Sequence, residues 1–183
     1  MKRPTRPITA KYLQNAATFY LERYPSTAEG LRRVLERRVA RARMADAPIV
    51  ENVERVIAEM VAKFVAAGVI DDKAFAQTKA RALHRRGTSN RLTRQKLKLA
   101  GIDGDTLDQA MAGLDQELHT DPRDREWKAA AALARRRRLG PYREKDRKHH
   151  RQRDLAAMAR AGFDYELARK VIDAMDVAAL DEG

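Results

Sequence analysis

Apolar residues recur at helical spacing along most of the chain. The clearest run follows the i, i+3, i+4, i+7 pattern of one buried helical stripe. It consists of Val53, Val56, Ile57, Met60, Val61, Phe64 and Val65. Two further runs, within residues 31–42 and 107–118, have the same period, and no segment shows the sustained alternation typical of a strand. The pattern predicts an all-α protein.

Caps and prolines place the ends of the helices. Ser26-Thr27-Ala28-Glu29 has the form of a capping box, and Pro48 should end the helix before it. Asp103 and Asp164 follow glycine turns and are expected to cap the helices after them. We predict nine helices, at residues 9–24, 27–45, 50–67, 72–86, 89–100, 104–118, 122–139, 145–161 and 165–176.

The segment 97–103 recurs 61 residues later as 158–164, with an Ala-Gly pair and a following Asp in both, and Leu35 precedes Leu97 by 62 residues. The nine helices therefore group as three tandem three-helix repeats, although the first lacks the glycine turn. Because each short helix has too little apolar surface to be stable alone, the repeats should pack into an elongated, curved helical array. The expected limits are a basic N-terminal tail (1–8), repeats at 9–67, 68–119 and 120–176, and a C-terminal tail (177–183).

The chain is strongly basic, with 38 Lys and Arg against 26 Asp and Glu and a formal charge of +12. This balance favours a polyanionic partner, nucleic acid above all, over the alternative of a merely solvated charged surface. The lack of cysteine excludes disulfides, thiol catalysis and thiolate metal sites, and fits a reducing compartment. The basic N-terminus is followed by no apolar stretch of signal-peptide or membrane-spanning length, so a cytoplasmic location without membrane contact is expected.

Catalytic motifs are missing from the sequence: there is no phosphate-binding P-loop, dinucleotide glycine pattern, metalloprotease histidine pair or nucleophile-elbow serine. His149 and His150 are adjacent within a run of cations, which repels a metal ion. Asp71 and Asp72 precede an apolar-striped helix, where capping explains them better than paired-carboxylate catalysis. We predict a protein that is not an enzyme and has no cofactor or metal site.

Basic residues cluster most densely in the middle repeat, where residues 79–98 contain eight cations and no acid. A solvated face normally mixes signs, although arginines at helix ends also compensate the helix dipole. Such cations should contact phosphates, with weak sequence preference and a steep salt dependence. The candidate contacts to a nucleic acid are Lys79, Arg81, Arg85, Arg86, Arg91, Arg94, Lys96, Lys98, Arg135, Arg136, Arg137, Arg138, Arg151 and Arg153.

Aromatic residues are scarce and are expected in the core rather than on a base-stacking surface. Four of them lie in the first predicted helix: Tyr12, Phe19, Tyr20 and Tyr24.

Several segments, in order, resemble the RecX family of bacterial regulators of RecA recombinase. The most specific are Gly68-Val69-Ile70-Asp71-Asp72-Lys73-Ala74-Phe75-Ala76, Lys79-Ala80-Arg81, Arg85-Arg86-Gly87 and Leu97-Lys98-Leu99-Ala100-Gly101-Ile102. Residues 20–31 and 160–165 resemble the first and last family repeats. Thr93 departs from the usual aliphatic residue, and residues 140–148 form a charged insertion.

The resemblance implies three tandem three-helix repeats and a protein that binds along the RecA filament on single-stranded DNA. It would lower the ATPase, strand-exchange and coprotease activities of RecA, and so act in homologous recombination, DNA repair and the SOS response. The implied partners are RecA and single-stranded DNA, with double-stranded DNA bound non-specifically, and a monomer is expected.

Two alternatives come from other classes of protein. Gln95 to Met111 has the helix, glycine turn and helix of a helix-turn-helix transcriptional regulator. In that motif the second helix faces DNA, and the acids of residues 103–115 would be repelled by phosphates. The other alternative is an enzyme of unrecognised type, which turnover of a phosphoester or nucleotide would reveal.

Overall fold

The computed structural model describes residues 7–181, and within them the chain is helical. The helices are α1 Ala10–Leu21, α2 Ala28–Met44, α3 Val53–Ala66, α4 Asp72–Arg85, α5 Asn90–Leu99, α6 Gly104–Glu117, α7 Pro122–Arg137, α8 Arg147–Arg160, α9 Tyr165–Asp173 and α10 Ala178–Asp181, with a 3₁₀ turn at Gly140–Tyr142. The extended pairing in this part of the chain is limited to one bridge, between Ile8 and Ile49. The prediction of an all-α fold is confirmed, and each of the nine predicted helices is present.

The helices form two compact units, one reaching to Phe75 and including Ala100–Ile102, the other made of Ala76–Leu99 and the chain from Asp103 onward. The predicted limits of three repeats stay a prediction. Residues 1–6, most of the expected N-terminal tail, lie outside the described residues, but Ile8 at its end is buried. Its backbone is fixed by hydrogen bonds from Ile8 N to Pro48 O (2.8 Å) and from Val50 N to Ile8 O (2.9 Å).

The core of the first unit lies between α1, α2 and α3. Leu13 of α1, Leu35 of α2 and Ile57 of α3 are buried in one apolar cluster. The apolar stripe that predicted α3 faces this core, except that Val65 at its end is 46% exposed. Full burial of a leucine-sized side chain stabilises a fold by about 1.5–3 kcal/mol, so this shared core holds together helices that are too short to be stable alone.

The N-terminus of α2 is capped one residue later than the capping-box pattern predicted. Thr27 is the N-cap, and its Oγ1 accepts a hydrogen bond from Gly30 N at 2.8 Å. Glu29 does not close a box but binds Arg32 and Arg33 one turn further along. Thr27 is the N-cap instead of Ser26 because the Thr27 side chain reaches the amide at position N3. This hydrogen bond satisfies an N–H donor that has no partner within the helix.

The acids predicted to be caps divide into three groups. Asp71 accepts a hydrogen bond from Ala74 N at 2.9 Å and caps α4, as predicted. Asp72 instead accepts from Ala28 N at 2.9 Å and so stabilises the start of α2. Asp164 caps α9, whereas Asp103 stands at the N-cap position of α6 without a side-chain hydrogen bond.

The second unit has its largest apolar cluster between α7, α8 and α9. Leu133, Met158 and Val171, one from each helix, are at most 1% exposed. The segment predicted to be a C-terminal tail also contributes, because α10 buries Leu180 and the indole Nε1 of Trp127 donates to Leu180 O at 3.0 Å.

The prediction that the aromatic residues of the first predicted helix lie in the core is wrong for two of the four. Phe19 is 55% exposed and Tyr24 is 56% exposed, whereas Tyr12 and Tyr20 are half-buried. The core face of α1 is formed by Leu13 and Ala17, four residues apart, which leaves Phe19 on another side of the helix.

Candidate nucleic-acid interface

The fourteen candidate cations lie in the second unit, and all are exposed except Arg151, which is half-buried. Eight belong to α4, α5 and the turn between them. Arg135–138 form the end of α7, where Arg138 has a left-handed backbone (φ 52°) that stops the helix. Arg151 and Arg153 lie in α8.

The turn from α4 to α5 is held rigidly against α7. Gly87 has φ +68°, and a Cβ on it would lie 2.5 Å from Leu133 N and 2.7 Å from Ala129 O. Its backbone therefore touches the backbone of α7, which only glycine permits. The next two residues are buried, and Ser89 Oγ accepts from Leu92 N at 3.2 Å, which caps α5.

This backbone contact brings two of the predicted basic segments together. Arg85 and Arg86 directly precede Gly87, and Arg136 and Arg137 follow Leu133 by one helical turn, a rise of about 5.4 Å. The cations at the end of α4 and those at the end of α7 therefore lie on either side of this contact.

Electrostatic contacts near the end of α4 indicate one cation that the sequence analysis missed. Burial, and then the charges of Arg125 and Lys128, lower the pKa of His84. Lys128 is exposed on α7 and lies seven residues before Arg135, so the two share one helical face. The i, i+7 spacing was visible in the sequence, but the single lysine stood outside the runs of arginine.

Cations of α5 form a stripe along one side of that helix. Arg91, Arg94 and Lys98 follow i, i+3, i+7 spacing, on a different face from the buried Thr93 and Leu97. The guanidinium Nε of Arg91 donates to Gly162 O at 3.4 Å, which holds the start of the stripe in place.

Three of the candidates form ion pairs within the protein. They are Arg81 with Glu117 (3.2 Å), Arg94 with Asp108 (2.6 Å) and Arg151 with Asp173 (2.7 Å). Exposed pairs of this kind contribute about 0–1 kcal/mol, so a phosphate can displace the carboxylate from Arg81 or Arg94 at little cost. Arg151 is held more firmly because two of its nitrogens bind both oxygens of Asp173, and this contact lowers the pKa of Asp173.

The other candidates have no ion pair. Within residues 7–181, no hydrogen bond or ion pair joins their charged groups to another residue, apart from the Arg91 contact described above. This unpaired set comprises Lys79, Arg85, Arg86, Lys96, Lys98, Arg135, Arg136, Arg137, Arg138 and Arg153. Unpaired exposed cations keep their full charge for a polyanion, and they lose little other than water when they bind one.

Some arginines of the same basic segments have structural roles instead. Arg143 binds both oxygens of the buried Asp154, at 3.1 and 2.6 Å. Arg147 donates to the last carbonyls of α9, including Ile172 O at 2.8 Å. Arg125 is only 3% exposed and is bound by Asp115 and by the main-chain oxygen of Met111 (3.0 Å). Charge alone in the sequence could not separate these residues from the exposed ones.

The described residues contain no cluster of three or more His, Asp or Glu placed to hold a metal ion. Nor does any helix between residues 7 and 181 combine the length and apolar character that crossing a bilayer requires.

Comparison with known proteins gives the same family by sequence and the same fold by structure. Residues 71–111 match the family model described as RecX, second three-helix domain. A protein of Myxococcus xanthus named Regulatory protein RecX is 40% identical over 174 residues, which cover 94% of this chain and 89% of the relative. Regulatory protein RecX of Agrobacterium fabrum is 31% identical over 165 residues, covering 88% of this chain and 82% of the relative.

Two crystal structures share the fold. RecX from Lactobacillus salivarius superposes with a TM-score of 0.58 at 20% identity, covering 95% of this chain and 97% of that one. Another crystal structure of regulatory protein RecX gives a TM-score of 0.57 at 19% identity, covering 90% of this chain and 71% of that one. The two curated relatives are named as regulators, and their identity extends over nearly the whole of their length. The chain therefore belongs to the RecX family of regulatory proteins.

Proposed function

We propose that this protein regulates RecA recombinase as an inhibitor, by binding along the groove of the RecA filament on single-stranded DNA. In this role it lowers the ATPase, strand-exchange and coprotease activities of RecA, and acts in the cytoplasm in homologous recombination, DNA repair and the SOS response. The observation that carries the proposal is the 40% identity over 94% of the chain to a protein named Regulatory protein RecX.

The cation surface of the second unit supports a partner rich in phosphate. Ten exposed candidates have neither an ion pair nor a hydrogen bond from their charged groups in the described residues, and the contact at Gly87 places several of them around one point. Contacts of this kind recognise the charge and spacing of phosphates and not the identity of bases. This suits a filament groove that presents the DNA backbone.

In the proposed mechanism, the protein contacts neighbouring RecA subunits and DNA phosphates at once. Each contact is modest, but contacts within one molecule add, because the second is made at a high effective concentration. A chain bound to adjacent subunits resists the subunit addition and the cycling linked to ATP hydrolysis. The basic surface of α4, α5 and α7 would face the DNA or acidic surface of RecA, and a monomer suffices.

A helix-turn-helix transcriptional regulator is disfavoured by the charge of α6. This helix would be the recognition helix, yet its first turn contains Asp105, and Asp103 precedes it without a capping role. Asp108 is also exposed, and its charge is paired with Arg94 on α5 at 2.6 Å. The exposed carboxylates of Asp103 and Asp105 would be repelled by the phosphates that flank a major groove.

The test is RecA ATPase on single-stranded DNA, titrated with this protein at two salt concentrations. We expect inhibition at or below one protein per RecA subunit, and weaker inhibition at the higher salt concentration. ATPase that stays unchanged at an equimolar ratio would overturn the proposal.

A pair of variants tests the cation surface directly. Arg85→Gln with Arg86→Gln removes two exposed unpaired cations, and Lys63→Gln with Lys73→Gln removes two exposed cations from the first unit. Each phosphate contact contributes about 0.7 to the slope of log K against log salt for single strands. The arginine variant should therefore lower that slope by about 1.4 and weaken inhibition, whereas the lysine variant should match the wild type. Equal effects of the two variants would show that net charge acts, and not this surface.

A further inference from the structure

The end of α1 and the turn after it carry an exposed aromatic surface that lies apart in sequence from the cations of the second unit. Phe19 is 55% exposed and Tyr24 is 56% exposed, in the first unit of the chain. The guanidinium carbon of Arg23 lies over the ring of Phe19, 3.6 Å from its centroid. The ring of Tyr24 packs beside that of Tyr20, with 5.3 Å between centroids.

A hydrogen bond supports this arrangement. The Nη1 of Arg23 donates to Phe19 O at 3.1 Å, which fixes the guanidinium above the ring. Its contact with Glu22 is longer, at 3.5 Å, and both groups are largely exposed, so that pair contributes little. The side chains of Phe19 and Arg23 therefore present a stacked pair of flat groups to solvent.

The rest of the same helical face is polar and free of acids up to Glu22. Lys11, Asn15 and Phe19 follow i, i+4, i+8 spacing, and all three are exposed. At 1.5 Å per residue, they span about 12 Å along α1. The face thus offers a cation, an amide that can both donate and accept hydrogen bonds, and then an aromatic ring beside a guanidinium.

We propose that Phe19 and Arg23, with Lys11 and Asn15 along the same face, form a site that stacks an unpaired nucleobase of single-stranded nucleic acid. Bases stack on aromatic rings and on guanidinium planes alike, and a cation within reach holds the phosphate that follows. A duplex hides the flat faces of its bases, so this site selects single strands, which phosphate contacts alone do not do. Binding at this site can be measured with free nucleic acid, in the absence of RecA. It can therefore be tested separately from the proposed inhibition of RecA.

The experiment measures the affinity of the full chain for two labelled strands of equal length, by fluorescence anisotropy. One strand is oligothymidine and the other consists of abasic sites, which keep the phosphates but have no base to stack. Phe19→Ala removes the ring, and Phe19→Leu keeps an apolar side chain without a flat face. Met44→Ala is the control, because Met44 is an apolar side chain of the first unit that is 88% exposed.

We expect Phe19→Ala and Phe19→Leu each to weaken oligothymidine binding five-fold or more, as the loss of one base–aromatic stack does. Affinity for the abasic strand should be unchanged, and Met44→Ala should bind both strands like the wild type. Helical circular dichroism should be the same in all variants, since both Phe19 and Met44 are exposed.

Three results would overturn the proposal: wild-type affinity of Phe19→Ala for oligothymidine, wild-type affinity of Phe19→Leu, or an equal loss on both strands. The second would indicate that an apolar side chain is enough at this position and that no base stacks there. RecA ATPase is titrated with the same variants. If the wild-type protein prefers oligothymidine over the abasic strand but leaves RecA unaffected, the proposed function fails while the stacking site holds.

Discussion

Replacement of Gly87 by alanine tests whether the contact between the α4–α5 turn and α7 stabilises the second unit. The new Cβ would lie 2.5 Å from Leu133 N and 2.7 Å from Ala129 O, and both atoms belong to the backbone of α7. Backbone cannot rotate away as a side chain can, so the turn and the helix must separate. Gly104→Ala is the control, because Gly104 also has a positive φ (+49°) and lies in the same unit, but a Cβ there meets nothing within 4 Å.

The expected cost has two parts. Alanine at positive φ costs about 1 kcal/mol, and both variants share this. Forced separation of packed backbone adds about 1–3 kcal/mol, as overpacking of a core does, and only Gly87→Ala carries it. With a urea m-value of about 1–3 kcal/mol/M, an additional 2 kcal/mol moves the unfolding midpoint by roughly 1 M.

The assay is urea unfolding followed by tryptophan fluorescence, since Trp127 is the one tryptophan of the chain and lies in α7. Gly104→Ala should unfold slightly below the wild type, and Gly87→Ala about 1 M lower again. Since the same contact sets the spacing of Arg85 and Arg86 from the end of α7, Gly87→Ala should also weaken DNA binding. Equal midpoints for the two variants would refute this account of the contact.

Two further predictions concern ionisable side chains of the same unit, the partly buried His84 and the buried Arg125. Because burial, with Arg125 and Lys128, lowers the pKa of His84 below its ordinary 6.5, the unfolded chain binds the proton better, and stability should be complete above pH 6.5 and fall below it. His84→Gln should flatten that part of the profile of urea midpoint against pH, and an unchanged profile would count against the assignment. Arg125→Met leaves Asp115 without its partner and should cost about 3 kcal/mol, the lower end for a buried pair. Adding Asp115→Leu should recover most of that loss, and no recovery would mean that Arg125 stabilises the fold through its other hydrogen bonds.

Helix positions could be predicted because they depend on local signals. The apolar stripe of residues 53–65 and the cap at Asp71 act within one or two turns of the chain, and the structure places both as expected. The burial of Leu180 could not be predicted in this way, because α10 is a single turn whose leucine is covered by residues of a distant helix, including Trp127.

The candidate site was harder to predict than the fold because charge in the sequence does not reveal its partner. Arg147 and Arg153 look alike in the sequence, yet Arg147 caps the end of α9 whereas Arg153 is exposed without a partner in the described part of the chain. Phe19 was expected in the core because aromatic residues usually are buried. Phe19 is two residues from the buried Ala17, and therefore lies on the opposite side of the helix from the core. The spacing of Phe19 from Leu13 and Ala17 in the sequence already indicated this exposure.

The recurring glycine shows what the internal repeat encodes. In the first unit, Ala100 accepts a hydrogen bond from Thr27 Oγ1, and a Cβ on Gly101 would collide with Glu29. In the second unit, Ala161 O accepts from Ser89 N at 3.4 Å, and a Cβ on Gly162 would collide with Ser89 Oγ.

Both glycines thus follow the end of a helix, and each lies against a residue of an N-terminal helix cap. The corresponding position in the first repeat, 62 residues before Gly101, is Val39, which is buried in the middle of α2. α2 continues to Met44 and makes no such turn there, so it needs no glycine. The Ala-Gly recurrence is therefore explained by close approach of the glycine backbone to side chains of the capped turn, and it is not by itself a sign of a binding site. The residues that differ between the repeats, namely the cations of α4, α5 and α7 and the aromatic residues of α1, are the ones to test for contact with a partner.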